Sequence, residues 1–177
     1  IEDCIIKSGQ LYEKPKNFYN KVAEYLSKGK IVGWFQGGAE FGPRALGNRS
    51  ILSRPYPEDQ RDYINKRVKF REEFRPFAPA VLDEFTNEFF DIKQESPHML
   101  IACKVIANKK NTIPAVVHID DTCRVQTVKR NNNEKFYNLL TEFNRVTDCP
   151  VLLNTSFNIK GQPIVNTPSQ AIDSFIS

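Results

Sequence analysis

The residues best equipped for chemistry in this chain are cationic, and they begin beside glycines. Residues 33–53 read Gly-Trp-Phe-Gln-Gly-Gly-Ala-Glu-Phe-Gly-Pro-Arg-Ala-Leu-Gly-Asn-Arg-Ser-Ile-Leu-Ser. Arg44 and Arg49 lie there with Asn48 and Ser50, among glycines that let a backbone approach a ligand closely. Arginine's planar fork of donors suits phosphate or carboxylate oxygens. The expectation is a strand, an anion-binding loop and a second strand. No Gly-Lys-Ser/Thr follows the glycines and no Gly-x-Gly-x-x-Gly occurs there, so neither a Walker A loop nor a dinucleotide fingerprint is supported.

Three further segments carry polar chemistry. Residues 69–79, Lys-Phe-Arg-Glu-Glu-Phe-Arg-Pro-Phe-Ala-Pro, interleave Lys69, Arg71 and Arg75 with three phenylalanines. Either the rings plug a core while the charges face water, or the rings hold the charges toward a shared anion. Arg124 stands in an otherwise uncharged strand pattern, 123–128, where a cation is costly unless it is paired or meets an anion. Residues 154–163 offer amide, hydroxyl and backbone groups at a strand end, either as a plain turn or as a ligand loop. The adjacent Asp120 and Asp121 are expected to make a hairpin turn, because neighbouring strand residues face opposite ways and make a poor metal pair.

The charge is localised. Net charge is +4. Residues 44–75 hold nine Lys/Arg against five Asp/Glu, and the rest of the chain is neutral, so the excess lies in the segment that starts at the glycine-rich loop. Few aromatics suited to base stacking interleave with it, which favours a small polyanion over nucleic acid. The four cysteines are widely spaced and the two histidines isolated, so neither a metal site nor a disulfide framework is expected. No run approaches the ~20 apolar residues of a membrane span. Reduced thiols and the absence of a signal-peptide pattern lead us to expect a cytoplasmic protein. At 177 residues one domain is expected, 1–30 as lead-in and first helix and 31–177 as the motif-bearing core. Because the chain opens on Ile1, we expect it to be part of a longer protein.

These groups need elements to position them. Residues 1–14 read as irregular. Phe18, Val22, Tyr25 and Leu26 recur at helical spacing up to Gly29, and a strand follows over 31–36. Pro57 suits the start of a helix to about Val68. Prolines 76 and 79 argue against a central strand at 69–79, with a strand at 80–82. A short helix over 83–90 would be capped by Asp83. Strands are expected at 99–106, 123–128 and 150–153. Asn133 should cap a helix that faces inward through Phe136, Leu139, Leu140, Phe143 and Val146. Thr167-Pro168-Ser169-Gln170 reads as a capping box before a helix buried through Ala171, Ile172, Phe175 and Ile176. Irregular alternation of helices with hairpin-like runs predicts an α/β (α+β) fold, an open mixed sheet with helices packed on it.

Residues 40–52 (Glu-Phe-Gly-Pro-Arg-Ala-Leu-Gly-Asn-Arg-Ser-Ile-Leu) resemble a signature of the nodulation protein U and antibiotic O-carbamoyltransferase family. So do 69–79, Ser96-Pro97-x-Met99, His118-Ile119-Asp120-x-Thr122-x-Arg124-Val125-Gln126-Thr127-Val128, and 153–165 from Leu153-Asn154-Thr155-Ser156-Phe157-Asn158 to Val165. The blocks occur in family order from about Gly33 to the end. The resemblance implies the family's C-terminal YrdC-like domain, a twisted mixed sheet around a basic cavity. It implies formation of carbamoyl adenylate from carbamoyl phosphate and ATP, the first half of ATP-dependent carbamoyl transfer to a hydroxyl acceptor. A metal-binding N-terminal transferase domain, absent here, would be the partner. By the same resemblance Arg44, Lys69 and Arg124 are the catalytic cations, with Ser156 lining the site and Asn154 and Asn158 beside it. Arg49, Ser50, Arg71, Arg75 and Thr155 are added as substrate- or nucleotide-binding candidates. Mg²⁺ would arrive with ATP, and no metal ligands are assigned within this chain. Gly38 and Cys123 depart from the family pattern without touching this set. A YrdC-type RNA-binding or threonylcarbamoyl-adenylate module, and a non-catalytic lobe supporting the transferase domain, remain as alternatives.

Overall fold

A computed structural model describes residues 1–72 and 75–177; Glu73 and Phe74 of the basic–aromatic run lie outside the described residues. The chain starts with a helix where an irregular lead-in was expected, α1 (Glu2–Lys7), which has no buried residue. Its acidic first turn (Glu2, Asp3) and basic last turn (Lys7) complement the helix dipole. The next helix, α2 (Phe18–Ser27), buries Val22, Ala23 and Leu26, while Phe18 and Tyr25 of the expected stripe stay largely exposed. The sequence then runs through β1 (Val32–Phe35), the glycine-rich loop and β2 (Arg49–Ser53), the expected strand–loop–strand. A short α3 (Asp59–Ile64) winds into one wider π-turn, Asn65–Lys69, of the kind often found at functional sites.

The strand β3 (Ala78–Leu82) includes Pro79 and is central, against the expectation from its prolines. The reason is local. On one side β3 pairs with a later strand from Ala78 onward, but on the other its ladder begins only at Ala80, so the strand is a one-sided edge at Pro79. After a 3₁₀ turn at Asp83–Phe85 come α4 (Thr86–Phe89) and β4 (Phe90–Asp91). Asp83 caps neither helical piece; it approaches Lys129 at 3.6 Å instead. Then follow β5 (Ala102–Val105), β6 (Thr122–Arg124) and β7 (Gln126–Val128). The single strand expected over 123–128 is thus broken at Val125, and its halves join different sheets. The turn before it holds Asp121 at φ +67°, paired to Lys110, while Asp120 accepts from Thr122.

The helix α5 (Glu134–Thr147) is capped as expected: Asn133 Oδ1 accepts from the Phe136 amide at 3.2 Å, and Phe136, Leu139, Leu140 and Phe143 are buried. Val146 is not; it is more than a third exposed. The central strand β8 (Val151–Ser156) runs three residues further than expected, through Asn154, Thr155 and Ser156. The capping box at Thr167 and Gln170 opens α6 (Pro168–Ile176), which buries only Ala171 and leaves Phe175 and Ile176 exposed.

The order β1-β2-β8-β3-β7 makes a five-stranded sheet, antiparallel except for the parallel β3–β7 pair, and β4-β5-β6 make a second sheet. Helices α2 and α5 pack on each other over the main core. The fold is mixed α+β, a mixed sheet with helices packed on it. Among the described residues no helix is long and apolar enough to cross a membrane.

Candidate functional site

Four strands and one loop converge. The register places Asn154 of β8 opposite both Leu52 of β2 and Ala78 of β3, while Ala80 of β3 faces Gln126 of β7. Side chains alternate along a strand, so Asn154 and Ser156 share a face and Thr155 points to the other. That shared face is covered by the glycine-rich loop.

The loop is held from inside. Glu40 Oε1 accepts from the amides of Leu46 (2.6 Å) and Asn48 (2.7 Å), a carboxylate stapling the backbone that follows Arg44. Gln36 Nε2 donates to Gly47 O (2.8 Å) and to the side chains of Asn48 and Asn133, tying the loop to the start of α5. At Gly47, φ is +104° and a Cβ would sit 2.3 Å from the Phe136 ring, so only glycine lets the loop lie on α5. Arg49 is 4% exposed. Its guanidinium donates to the carbonyls of Gln36, Gly37, Asn48 and Asn166 and lies 3.7 Å from the centre of the Phe35 ring. Ser50 is fully buried and accepts from the Gly47 amide. Both belong to the loop's support rather than to its open surface.

Arg44 differs in every respect. It is exposed and has no hydrogen-bonding or ionic partner among the described residues. Its charge acts on Arg124, whose guanidinium is held below its ordinary pKa by burial first and by Arg44 second. Arg124 likewise has no carboxylate partner among the described residues. Two guanidinium groups brought near one another without a counter-charge repel, and an anion between them removes that repulsion.

Lys69 ends the π-turn and is 6% exposed. Its ammonium donates to Ser156 O (2.5 Å) and Oγ (3.3 Å) and to Asn158 O (3.1 Å) and Oδ1 (2.8 Å). Burial, and then the Arg71 charge, push it down to about 7. Arg71 donates to Asn65 Oδ1 at 2.7 Å and lies over the Phe77 ring. Phe77 is buried in the main core, as in the first reading of the basic–aromatic run, and its ring also carries the Arg71 guanidinium. Arg75 instead pairs with Glu72 at 2.8 Å, both largely exposed.

The link between these groups is a pair of amides. Gln126 Nε2 donates to Leu46 O at 2.8 Å, and Asn154 Nδ2 donates to Gln126 Oε1 at 2.8 Å and to Ala45 O at 3.2 Å. This bridge joins the Arg44 loop to β7, two residues after Arg124, and to β8, two residues before Ser156. A cleft of about 500 Å³ beside it is lined by Glu40, Leu46, Asn48, His98, Gln126 and Asn133. Gln126 and Glu40 fall within the sequence blocks, yet their bracing roles appear only in the fold. Composition carries no signal for them, since an amide or carboxylate that braces a loop looks like any surface polar residue until its partner is known.

The family model described as Carbamoyltransferase C-terminus matches residues 23–177. The chain belongs to the carbamoyltransferase C-terminal family. Nodulation protein NolNO of Sinorhizobium fredii is 45% identical over 168 residues, covering 93% of this chain and 25% of that protein. Nodulation protein NolO of Bradyrhizobium diazoefficiens is 42% identical and covers 96% and 32%; nodulation protein U of Rhizobium tropici is 41% identical and covers 80% and 24%. The chain thus spans about a quarter to a third of the length of these curated relatives. The crystal structure of full-length HypF in its phosphate- and nucleotide-bound form has the same fold over 93% of this chain and 20% of that one, with a TM-score of 0.59 at 18% identity. In this carbamoyltransferase C-terminal domain the blocks that carry the family likeness are also those whose side chains meet: the Arg44 loop, Lys69, Arg124–Gln126 and Asn154–Asn158.

Proposed function

We propose that this domain forms carbamoyl adenylate from carbamoyl phosphate and ATP. The observation that carries the reading is that Lys69 on Ser156 and Asn158, and the Arg44 loop bridged through Gln126 to Asn154, meet on one strand, with Arg44 and Arg124 lacking a carboxylate partner among the described residues, in a domain of the carbamoyltransferase family. Both substrates are polyanions. An adenylate requires an oxygen nucleophile at the α-phosphorus, which carbamoyl phosphate supplies once water has cleaved it to carbamate and phosphate. The carbamate oxygen then bonds to the α-phosphorus and pyrophosphate leaves, so atoms and charge balance.

In this reading Arg44 and Arg124 take the phosphoryl oxygens by bidentate hydrogen bonds, and Lys69 contributes a point charge. Cations already in place where charge builds lower the barrier, typically by about 3–4 kcal/mol for one such donor. Ser156 and Asn158 hold Lys69, and Asn154 meets the carbamoyl group. Burial, and after it the Arg71 charge, keeps the Lys69 ammonium acidic. No general base is assigned; the step runs on positioning and electrostatics. A divalent cation would come on the triphosphate. Transfer to a hydroxyl acceptor belongs to a further domain, and the reaction to the cytoplasm, where ATP is at hand.

The test is pyrophosphate release by this domain with ATP and carbamoyl phosphate. Release that requires both supports the reading. Absence of release, together with no calorimetric binding of either compound, would leave a supporting lobe in its place.

A further inference from the structure

Asn154 is 1% exposed, and its Oδ1 has no hydrogen-bond partner among the described residues. The orientation of this amide is dictated by its surroundings. Leu46 O and Ala45 O are backbone carbonyls and can only accept. Gln126 must therefore turn its NH₂ to Leu46 O, which leaves Gln126 Oε1 as an acceptor toward Asn154. Asn154 answers with its own NH₂, shared between Gln126 Oε1 and Ala45 O. Two fixed carbonyls thus force the remaining atom, Asn154 Oδ1, to be a pure acceptor. A buried acceptor without a donor is a standing cost, removed by a ligand that brings an N–H or O–H and kept by one that brings a methyl group. The same amide donates to Ala45 O, one residue from Arg44, so an anion drawn in by Arg44 arrives at the loop this side chain touches.

We infer that Gln126 is a positioning residue for substrate selection: by holding the Asn154 NH₂ it leaves the Asn154 oxygen as the unmet acceptor, and this makes the site choose an acyl phosphate bearing N–H over one bearing methyl. This rests on the proposed function and adds the group that tells carbamoyl from acetyl. The bonds responsible are neutral, and they reach the Arg44 loop through Leu46 O and Ala45 O, so selectivity is read as a ratio between two acyl phosphates of like charge.

The experiment compares carbamoyl phosphate with acetyl phosphate, of similar shape and charge, in ATP-dependent pyrophosphate release and in calorimetric binding. The wild-type domain is expected to favour carbamoyl phosphate by about 10- to 100-fold in kcat/KM, the effect of one unmet buried acceptor. Gln126→Met, which leaves the Asn154 amide held by the longer bond to Ala45 O, should lower that ratio to within about threefold, whatever it does to the KM for ATP through the loop. Gln126→Glu keeps an acceptor toward Asn154 and should keep most of the ratio even as the loop bond to Leu46 is lost. Equal use of both acyl phosphates by the wild type overturns the inference. So does a Gln126→Met variant that weakens both substrates and ATP alike at an unchanged ratio. If Gln126→Met does not fold by circular dichroism, the wild-type ratio and Gln126→Glu decide. Failure of the proposed function looks different: neither acyl phosphate binds or supports release.

Discussion

The Arg44–Arg124 corner and the Lys69 turn are both cationic and both borrow from the same strands, yet their wiring is opposite. In the corner the two guanidinium groups repel each other and have no acceptor among the described residues. In the turn a single buried ammonium already has four oxygens from Ser156 and Asn158. The first region gains by taking an anion outright, because nothing internal competes. The second must exchange internal oxygens for phosphate oxygens, so its contribution is adjustable by whatever changes its protonation. An abundance of positive charge in sequence therefore does not measure readiness to bind; the count of internal acceptors around each cation does.

Breaking the corner should do the most damage. Arg124→Ala is expected to lower carbamoyl-phosphate-dependent pyrophosphate release about 10²–10³-fold with an unchanged circular dichroism spectrum. Loss of less than about tenfold would remove Arg124 from the site. The turn should show itself through pH. Burial and Arg71 hold Lys69 near 7, so above that pH the amine is neutral and an incoming phosphate must draw in a proton. Phosphate affinity contributed by this group should then fall by about tenfold per unit between pH 7 and 9, with proton uptake visible as buffer-dependent heats. Lys69→Met should flatten that profile. The same depressed value makes folding stability from this group rise with pH between about 7 and the ordinary lysine value of 10.5, because the unfolded chain then holds the extra proton.

The loop's support can be probed in the same spirit. Arg49→Met removes donors from four carbonyls and should destabilise the fold by about 2–3 kcal/mol in urea titration. If the loss were instead confined to anion affinity, Arg49 would belong with Arg44. The smallest effect is expected at Asn133→Ala, which removes the cap of α5 and one partner of Gln36, at about 1 kcal/mol. A neutral outcome there would mean that Gln36 holds the loop through Gly47 and Asn48 alone.

Local pattern made much of the scaffold legible. The stripe of α5 with its Asn133 cap, the Thr167 capping box and the strand–loop–strand around Arg44 all follow from neighbours within a few residues. Reading failed where distant partners decide. Glu2–Lys7 forms a helix from a segment with no clear apolar stripe. Phe175 and Ile176 stay exposed, while α6 buries Ala171 and half-buries Ile172. Pro79 enters a central strand because one neighbour ladder starts a residue later. The break at Val125 sends Arg124 and Gln126 into different sheets, which no alternation pattern records.

The sequence by itself determined the chemistry on offer: a set of cations and amides in ordered blocks, suited to phosphates, in a mixed α+β chain of the carbamoyltransferase family. Only the tertiary structure decided how those groups divide their labour. Arg44 and Arg49 are the same residue type five positions apart, yet one faces outward without a partner and the other is enclosed by four carbonyls. Residue type sets what a side chain can bind; which acceptors surround it depends on strands and loops brought together from more than a hundred residues away, as Asn166 is brought to Arg49.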